Sequence, residues 1–313
     1  MDLNTYHKLI KSETNARKYL SKKCRKNGHR FCPRCNQRKL YKLSSGRRRC
    51  ARCKYTFHDF SGRWINHGRL TCIQWLSLIK LFELELSIRK MAEQMSLAYN
   101  TAYNAIRTIR YSILAHAADR PDLLTGEIEI DECYFGGRRK GNRGRGAAGK
   151  VPVFGILERE GQVRVTVVPD VTAKTLIGLT VKTVRRGSII YTDKFKSYDS
   201  LMFCGYRHLK VDHGKRFSSG KVYINGLEGF WSWAKERFIK HHGVSKENFP
   251  LYLKELEFRY NHRHSDIFDK VADYLCDLVP KLEQLPRKIS TCLQREAKKT
   301  TTVSGIKNRI YLT

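Results

Sequence analysis

The chain has 313 residues, with 61 Lys and Arg against 29 Asp and Glu, a formal net charge of +32 and a hydrophobic fraction of 41%. A domain takes roughly 100–200 residues, so two or three cores fit, and this composition excludes a disordered chain. No run approaches the ~20 apolar residues of a spanning helix, and the start Met1-Asp2-Leu3-Asn4-Thr5-Tyr6 lacks a signal layout, so membrane insertion and secretion are not expected. So much positive charge is best tolerated when a polyanion neutralises it. The commonest polyanion is nucleic acid, which points to a cytoplasmic, nucleoid-associated protein with a DNA partner and no membrane partner.

The basic charge is concentrated at the start, where residues 1–70 hold 20 Lys and Arg but only Asp2, Glu13 and Asp59 as acids. Within this stretch Cys32-Pro33-Arg34-Cys35 and Cys50-Ala51-Arg52-Cys53 repeat one spacing, 14 residues apart. Two such knuckles supply the four thiolates of a tetrahedral Zn²⁺ site, and so charged a segment has little apolar core besides. A redox dithiol pair is the alternative. The other six cysteines are scattered, as in a reducing compartment. Arg47, Arg48 and Arg49 beside the second knuckle are candidate DNA contacts.

From about 71 to 118 the chain reads as helical, with Trp75, Leu76, Ile79 and Phe82 at helical spacing. Residues 87–113 have the pattern of a short helix, a tight connection without glycine and a second helix. Its exposed side is expected to carry Tyr103, Asn104, Arg107 and Arg110 toward DNA. Bundles that bind nothing share this pattern.

The largest block, from about 125, opens with strands. Glu127–Ile130 alternates with period two, Val151–Leu157 and Val163–Val168 are apolar or β-branched runs, and Glu160-Gly161 is the turn between them. A helix capped by Thr172, a strand over Ser188–Tyr191, a short helix near Ser197–Met202, a strand at Tyr206–Val211 and a long helix from about Asn225 to Lys240 follow. Asp131 comes directly after the first strand, Asp193 follows the Ser188–Tyr191 strand, and Glu228 lies on the long helix. Acids at strand ends and on a late helix can converge on two divalent cations ~3.5–4 Å apart. Glu132, Asp199 and Asp212 are rival ligands by spacing alone. On the long helix Leu227, Phe230, Trp231, Ala234 and Phe238 share an apolar face, while Asn225, Glu228, Ser232 and Lys235 share a polar stripe. Lys235 there could meet a phosphate beside the metals. Arg138, Arg139, Lys140 and Arg143 belong to an acid-free, glycine-rich loop suited to wrapping a DNA backbone, or simply to solvation.

Four strings in order carry a resemblance: Ile130-Asp131-Glu132-Cys133-Tyr134-Phe135-Gly136-Gly137, Tyr191-Thr192-Asp193, Asn225-Gly226-Leu227-Glu228-Gly229-Phe230-Trp231-Ser232, and Phe258-Arg259-Tyr260-Asn261-His262-Arg263. Together they resemble bacterial insertion-sequence transposases with an RNase H-like Asp-Asp-Glu domain, and more narrowly the branch with an N-terminal zinc ribbon, the ISXO-two-like group. The resemblance implies that Asp131, Asp193 and Glu228 hold two Mg²⁺ (or Mn²⁺) ions, with Lys235 the basic residue after the Glu and Asn225 a second candidate for the third ligand. It implies one structural Zn²⁺, binding to terminal inverted repeats and target DNA, and a homo-oligomer of at least a dimer on DNA.

The expected fold is therefore α/β: an RNase H-like mixed-sheet catalytic domain over 121–284, preceded by a Cys₄ zinc ribbon over 1–68 and a helix-turn-helix segment over 69–120. A basic tail over 285–313 completes it. The expected activity is metal-dependent cleavage at element ends followed by strand transfer. A non-catalytic DNA-binding regulator, a structure-selective nuclease on the same fold and an RNA-binding zinc-ribbon protein are the rivals.

Overall fold

The computed structural model describes residues 1–136, 150–193, 196–210, 224–241 and 243–280. Two helices precede the cysteines, α1 (Leu3–Ile10) and α2 (Glu13–Lys23), each begun by a side chain that accepts an N–H of its first turn, Asp2 and Ser12. A three-stranded antiparallel sheet follows: β1 (Leu40–Lys42), β2 (Arg48–Cys50) and β3 (Thr56–Phe57). Next comes α3 (Cys72–Glu83), which starts in a capping box of Thr71 and Gln74. The Glu13 carboxylate accepts two further N–H groups at this start, from Cys72 and Ile73.

The expected helix pair is α4 (Ile88–Gln94) and α5 (Tyr99–Ala118). Their connection turns at Ser96, whose φ of 48° does the work usually left to glycine.

The large block forms one five-stranded mixed sheet from β4 (Glu127–Phe135), β5 (Val151–Glu158), β6 (Val163–Val167), β7 (Ile189–Thr192) and β8 (Arg207–Lys210), in the spatial order β6-β5-β4-β7-β8. The first three strands form an antiparallel meander, and β7 and β8 run parallel to β4. This is the RNase H-like arrangement. Between β6 and β7 lies α6 (Ala173–Thr183), capped by Thr172 as its sequence foretells, and a 3₁₀ helix over Lys196–Cys204 leads to β8. The chain ends its described course in α7 (Asn225–Ile239), α8 (Phe249–Asn261) and α9 (Ile267–Cys276).

Three apolar clusters organise the molecule. α6 and the 3₁₀ helix pack Leu176, Tyr198 and Leu201 on Ile128, Ile130 and Ile156, one face of the sheet. On the other face α7 and α8 pack Leu227, Phe230, Trp231 and Leu253 against Cys133, Phe135 and Val165. The third cluster joins helices α1 to α5 to Phe258 of α8 and to Phe268, Val271 and Leu275 of α9. The helices near the start and those near the end of the described chain thus share one core.

The edge strand β6 is covered by side chains. Asn261 accepts from Val163 N and donates to Val163 O, and Glu257 accepts from Val165 N. These α8 groups satisfy outward backbone groups of β6 at Val163 and Val165, where a further strand could otherwise pair. The Phe258–Arg263 string therefore closes the sheet, and Arg259 is buried.

Candidate functional site

The four cysteines meet. Cys32, Cys35, Cys50 and Cys53 bring their sulfurs within 4.8 Å of one another, with Sγ···Sγ separations of 3.5 to 3.6 Å. Thiolates about 2.3 Å from a tetrahedral Zn²⁺ stand about 3.8 Å apart, so the set fits that ion. Both knuckles are built alike: Asn36 N bonds to Cys32 O and Lys54 N to Cys50 O, with Asn36 and Lys54 each at a φ of 59°. Burial works against ionising Cys50, but backbone N–H groups of Cys53 and Arg52 bring its pKa down to about 6, whereas burial pushes Cys32 up to about 12, so the clustered thiols share their protons unevenly.

The acids lie on the sheet. β4 runs on to Phe135, so Asp131 stands inside the strand and not after it, as the short alternating run had suggested. Side chains alternate across a strand. Glu129, Asp131 and Cys133 face α7, whereas Glu132 faces the other way, accepting a 2.7 Å hydrogen bond from Tyr198 OH. Tyr191 pairs with Glu129 in the parallel β4–β7 register. The ladder ends at this pair and β7 at Thr192, so Asp193 follows directly on its strand, two residues beyond Tyr191 as Asp131 is two beyond Glu129. Burial first, then the charges of Glu132 and Asp193, push the Asp131 pKa up to about 7. Hard oxygen ligands crowded into a half-buried site suit a divalent cation.

Helix α7 is fastened over this face. Trp231 Nε1 donates to Asp131 Oδ2 at 3.1 Å. Its indole crosses β5 at Gly155, which pairs with Asp131, and a Cβ on Gly155 would lie 2.4 Å from the ring. Asn225, Glu228, Ser232 and Lys235 form the exposed stripe of the helix, as read from the sequence. Burial pushes the pKa of the Cys133 thiol up, and the nearby Lys235 ammonium opposes that push, two residues beyond Asp131 on the same face. Among the described residues, the four cysteines are the group whose ligand atoms all gather within 4.8 Å, and the three acids are not drawn in so closely. A pair of ions ~3.5–4 Å apart does not demand that they be, because the outer ligands serve different ions. Of the rival acids, Asp199 is paired with Lys210 at 2.7 Å, and Asp212 lies outside the described residues.

The basic candidates divide. Arg47 and Arg49 are exposed, with Arg49 beside the exposed Tyr41 on the ribbon's outer face, whereas Arg48 is half-buried 3.6 Å from Asp59. Asn104 is exposed and Tyr103 half-buried near the start of α5, where Tyr99 stacks on Tyr103. Arg107 lies over the Tyr103 and Tyr111 rings with Asn248 at 3.5 Å. Arg110 is not on an exposed side: it is 3% exposed and donates to Glu255 at 2.7 Å. Helical spacing correctly puts 103, 107 and 110 on one side, but α8 covers the far end of that side. Arg138, Arg139, Lys140 and Arg143 lie outside the described residues. His241 is held neutral, its pKa lowered to about 4 chiefly by burial.

The sequence reading passed over Glu129, which is 1% exposed and accepts from Leu227 N at the start of α7. Its period-two spacing from Asp131 was the available signal.

Comparison with known proteins gives the family. Residues 123–261 match the ISXO2-like transposase domain, and residues 11–56 match the transposase zinc-ribbon domain. A transposase-like protein of Haemophilus influenzae is 42% identical over 101 residues, 32% of this chain and 82% of that protein. A protein of the transposable element ISH50 in Halobacterium salinarum is 29% identical over 275 residues, 80% of this chain and 92% of its own length. Among solved structures, a simian T-cell lymphotropic virus intasome complexed with PP2A regulatory subunit B56 gamma is matched at 17% identity and a TM-score of 0.27, over 50% of this chain and 56% of that one. That last likeness is too slight to carry an argument. With the two domain matches in chain order and a sheet of the expected topology, this chain belongs to the zinc-ribbon-bearing ISXO2-like transposases.

Proposed function

We propose that the protein binds the terminal inverted repeats of an insertion sequence, cleaves phosphodiester bonds at the element ends and joins the freed 3′-OH ends to target DNA. The observation that carries this reading is the shared face of β4, β7 and α7. Asp131 stands in β4, Asp193 follows directly on the parallel strand β7, and the helix bearing Glu228 and Lys235 is fastened to that face through Trp231 and Asp131.

Asp131, Asp193 and Glu228, with Asn225 as the alternative third group, would hold two Mg²⁺ or Mn²⁺ ions, which activate the attacking oxygen and stabilise the leaving oxygen of a phosphodiester. Trp231 orients the Asp131 carboxylate by donating to one oxygen, leaving the other for a ligand role. Lys235, exposed on the same helix stripe, steadies a phosphate beside the acids. The bonds broken and formed in strand transfer are alike, so the joining step needs no ATP. Arg47 and Arg49 on the ribbon and Tyr103 and Asn104 on α5 supply DNA contacts, the first pair to phosphates and the second to base edges. Two element ends must be held together, so the working unit is a homo-oligomer, at least a dimer.

The test is strand transfer on a DNA fragment ending in the element's flanking repeat, with Mg²⁺, comparing the natural chain with Asp193→Ala. Metal-dependent nicking and joining that disappear in the variant are expected. Cutting without joining would make the protein a nuclease, and specific binding with no cleavage under any metal would make it a regulator.

A further inference from the structure

We propose that Glu129 is a positioning residue, the junction that sets the elements bearing all three acids in register. This inference rests on the carboxylate reading of the site given above.

The Glu129 side chain is 1% exposed, and both its oxygens are engaged. Oε2 accepts from the backbone N–H of Leu227 at 2.8 Å. Oε1 accepts from Arg159 Nε at 3.0 Å. The first bond reaches helix α7 one residue before Glu228. The helix has no capping side chain of its own, since its N-cap is Ile224, so a carboxylate from the sheet satisfies one of the free N–H groups at its start. A negative charge at a helix N-terminus is also favoured by the aligned peptide dipoles.

The second bond reaches toward β7. The Arg159 guanidinium lies 3.8 Å from the centre of the Tyr191 ring, and Tyr191 is two residues before Asp193. Glu129 itself is two residues before Asp131 on β4. One buried carboxylate on the strand of Asp131 therefore touches the helix of Glu228 and, through Arg159, the strand β7 that leads into Asp193.

Gly226 is part of the same fit. A Cβ there would stand 2.7 Å from Leu157 Cδ2 and 3.0 Å from Glu129 Oε2, so only glycine lets the helix start approach closely enough for the Leu227 bond. With a donor on each oxygen and the side chain 1% exposed, Glu129 is built to hold the helix start. Its role is to hold the helix, and its loss should move Glu228 relative to Asp131.

The experiment measures Mn²⁺ affinity of the full-length protein by electron paramagnetic resonance, together with thermal unfolding and Mg²⁺-dependent nicking, for Glu129→Gln, Glu129→Asp and Glu129→Ala. Gln keeps the reach and an acceptor for Leu227 N–H without the charge, whereas Asp keeps the charge but falls a methylene short. Positioning predicts that Ala and Asp weaken Mn²⁺ binding about tenfold, the scale seen when groups that orient metal ligands are removed, and that Gln is affected less. Direct ligation predicts the reverse order, with Asp retaining more than Gln. Ala at natural affinity, or Asp equal to or better than Gln, overturns the proposal. Glu228→Ala in the same assay separates the two claims: if it leaves Mn²⁺ affinity unchanged, the carboxylate reading fails and not the junction. Should Glu129→Ala not fold, the order of Gln and Asp still decides.

Discussion

Asp131 gains its orientation from Trp231, a bond between a strand and a helix 100 residues later in the chain. The indole can lie there only because position 155 carries no side chain. Trp231→Phe keeps a ring over Gly155 but removes the N–H. Cleavage and Mn²⁺ affinity should fall about tenfold, as for other groups that orient a metal ligand, while the melting temperature shifts by only a few degrees. Natural affinity and activity in this variant would show that the bond is ornamental. Trp231 was legible from its helical phase as a core residue; its donor role was not, because nothing local says which strand atom the indole N–H meets.

Helices α5 and α8 are joined by a buried ionic group. Glu255 accepts from Arg110 at 2.7 Å and from Arg259 at 2.9 Å, and all three side chains are nearly inaccessible to solvent. Burial would raise the Glu255 pKa, but the two guanidiniums outweigh it and bring it to about 2. Replacing it with glutamine strands two buried cations, at an expected cost of about 3–5 kcal/mol at neutral pH. The sign follows from the depressed pKa: the ionised form is favoured in the fold, so its stabilisation is complete above the ordinary carboxylate value near 4 and is lost as pH falls through about 2. In urea titrations across a pH series, the gap between the natural chain and Glu255→Gln should therefore be widest near pH 6 and narrow below pH 4. A gap independent of pH would contradict it. The sequence could not announce this pair, since Arg110, on a helix whose exposed start is a candidate DNA contact, reads as one more surface cation until α8 is known to cover it. For the same reason α8 and α9 went unforeseen, as did α1 and α2: their apolar positions are completed by partners far away in the chain.

At the scale of the molecule, the ribbon is fastened to the helical core by polar groups. Asp59 accepts from Ser21 at 2.7 Å and Arg30 at 3.2 Å, and buried Arg63 donates to the carbonyls of Cys24, Asp59 and Cys276. The far end of α7 is likewise fixed, with Lys240 2.8 Å and Arg237 3.3 Å from Glu85. The ribbon's own apolar cluster is mostly its cysteines with Phe57 and Leu40, so its order depends on the metal. Stripping Zn²⁺ with a chelator should release one ion per chain and abolish end-DNA binding. It should leave far-UV helical signal largely intact, because the helices belong to other cores. Loss of the helical signal in step with the ion would refute that independence. Among the described residues no helix is long and apolar enough to cross a membrane.

The sequence by itself determined the elements whose signals are local: the two cysteine knuckles, the strands of the large block, the helix pair before it, and the polar and apolar sides of α7. It also brought forward Asp131, Asp193 and Glu228, with Asn225 beside Glu228, as candidate ligands, from expected strand ends, a late helix and four ordered strings. The tertiary structure decided how these parts meet. It carried β4 past Asp131, turned Glu132 to the opposite face, hid Arg110, and gave Glu129 and Trp231 their partners. Those outcomes depend on contacts between residues up to a hundred or more positions apart, and no property of a short window of sequence encodes which distant surface will cover it.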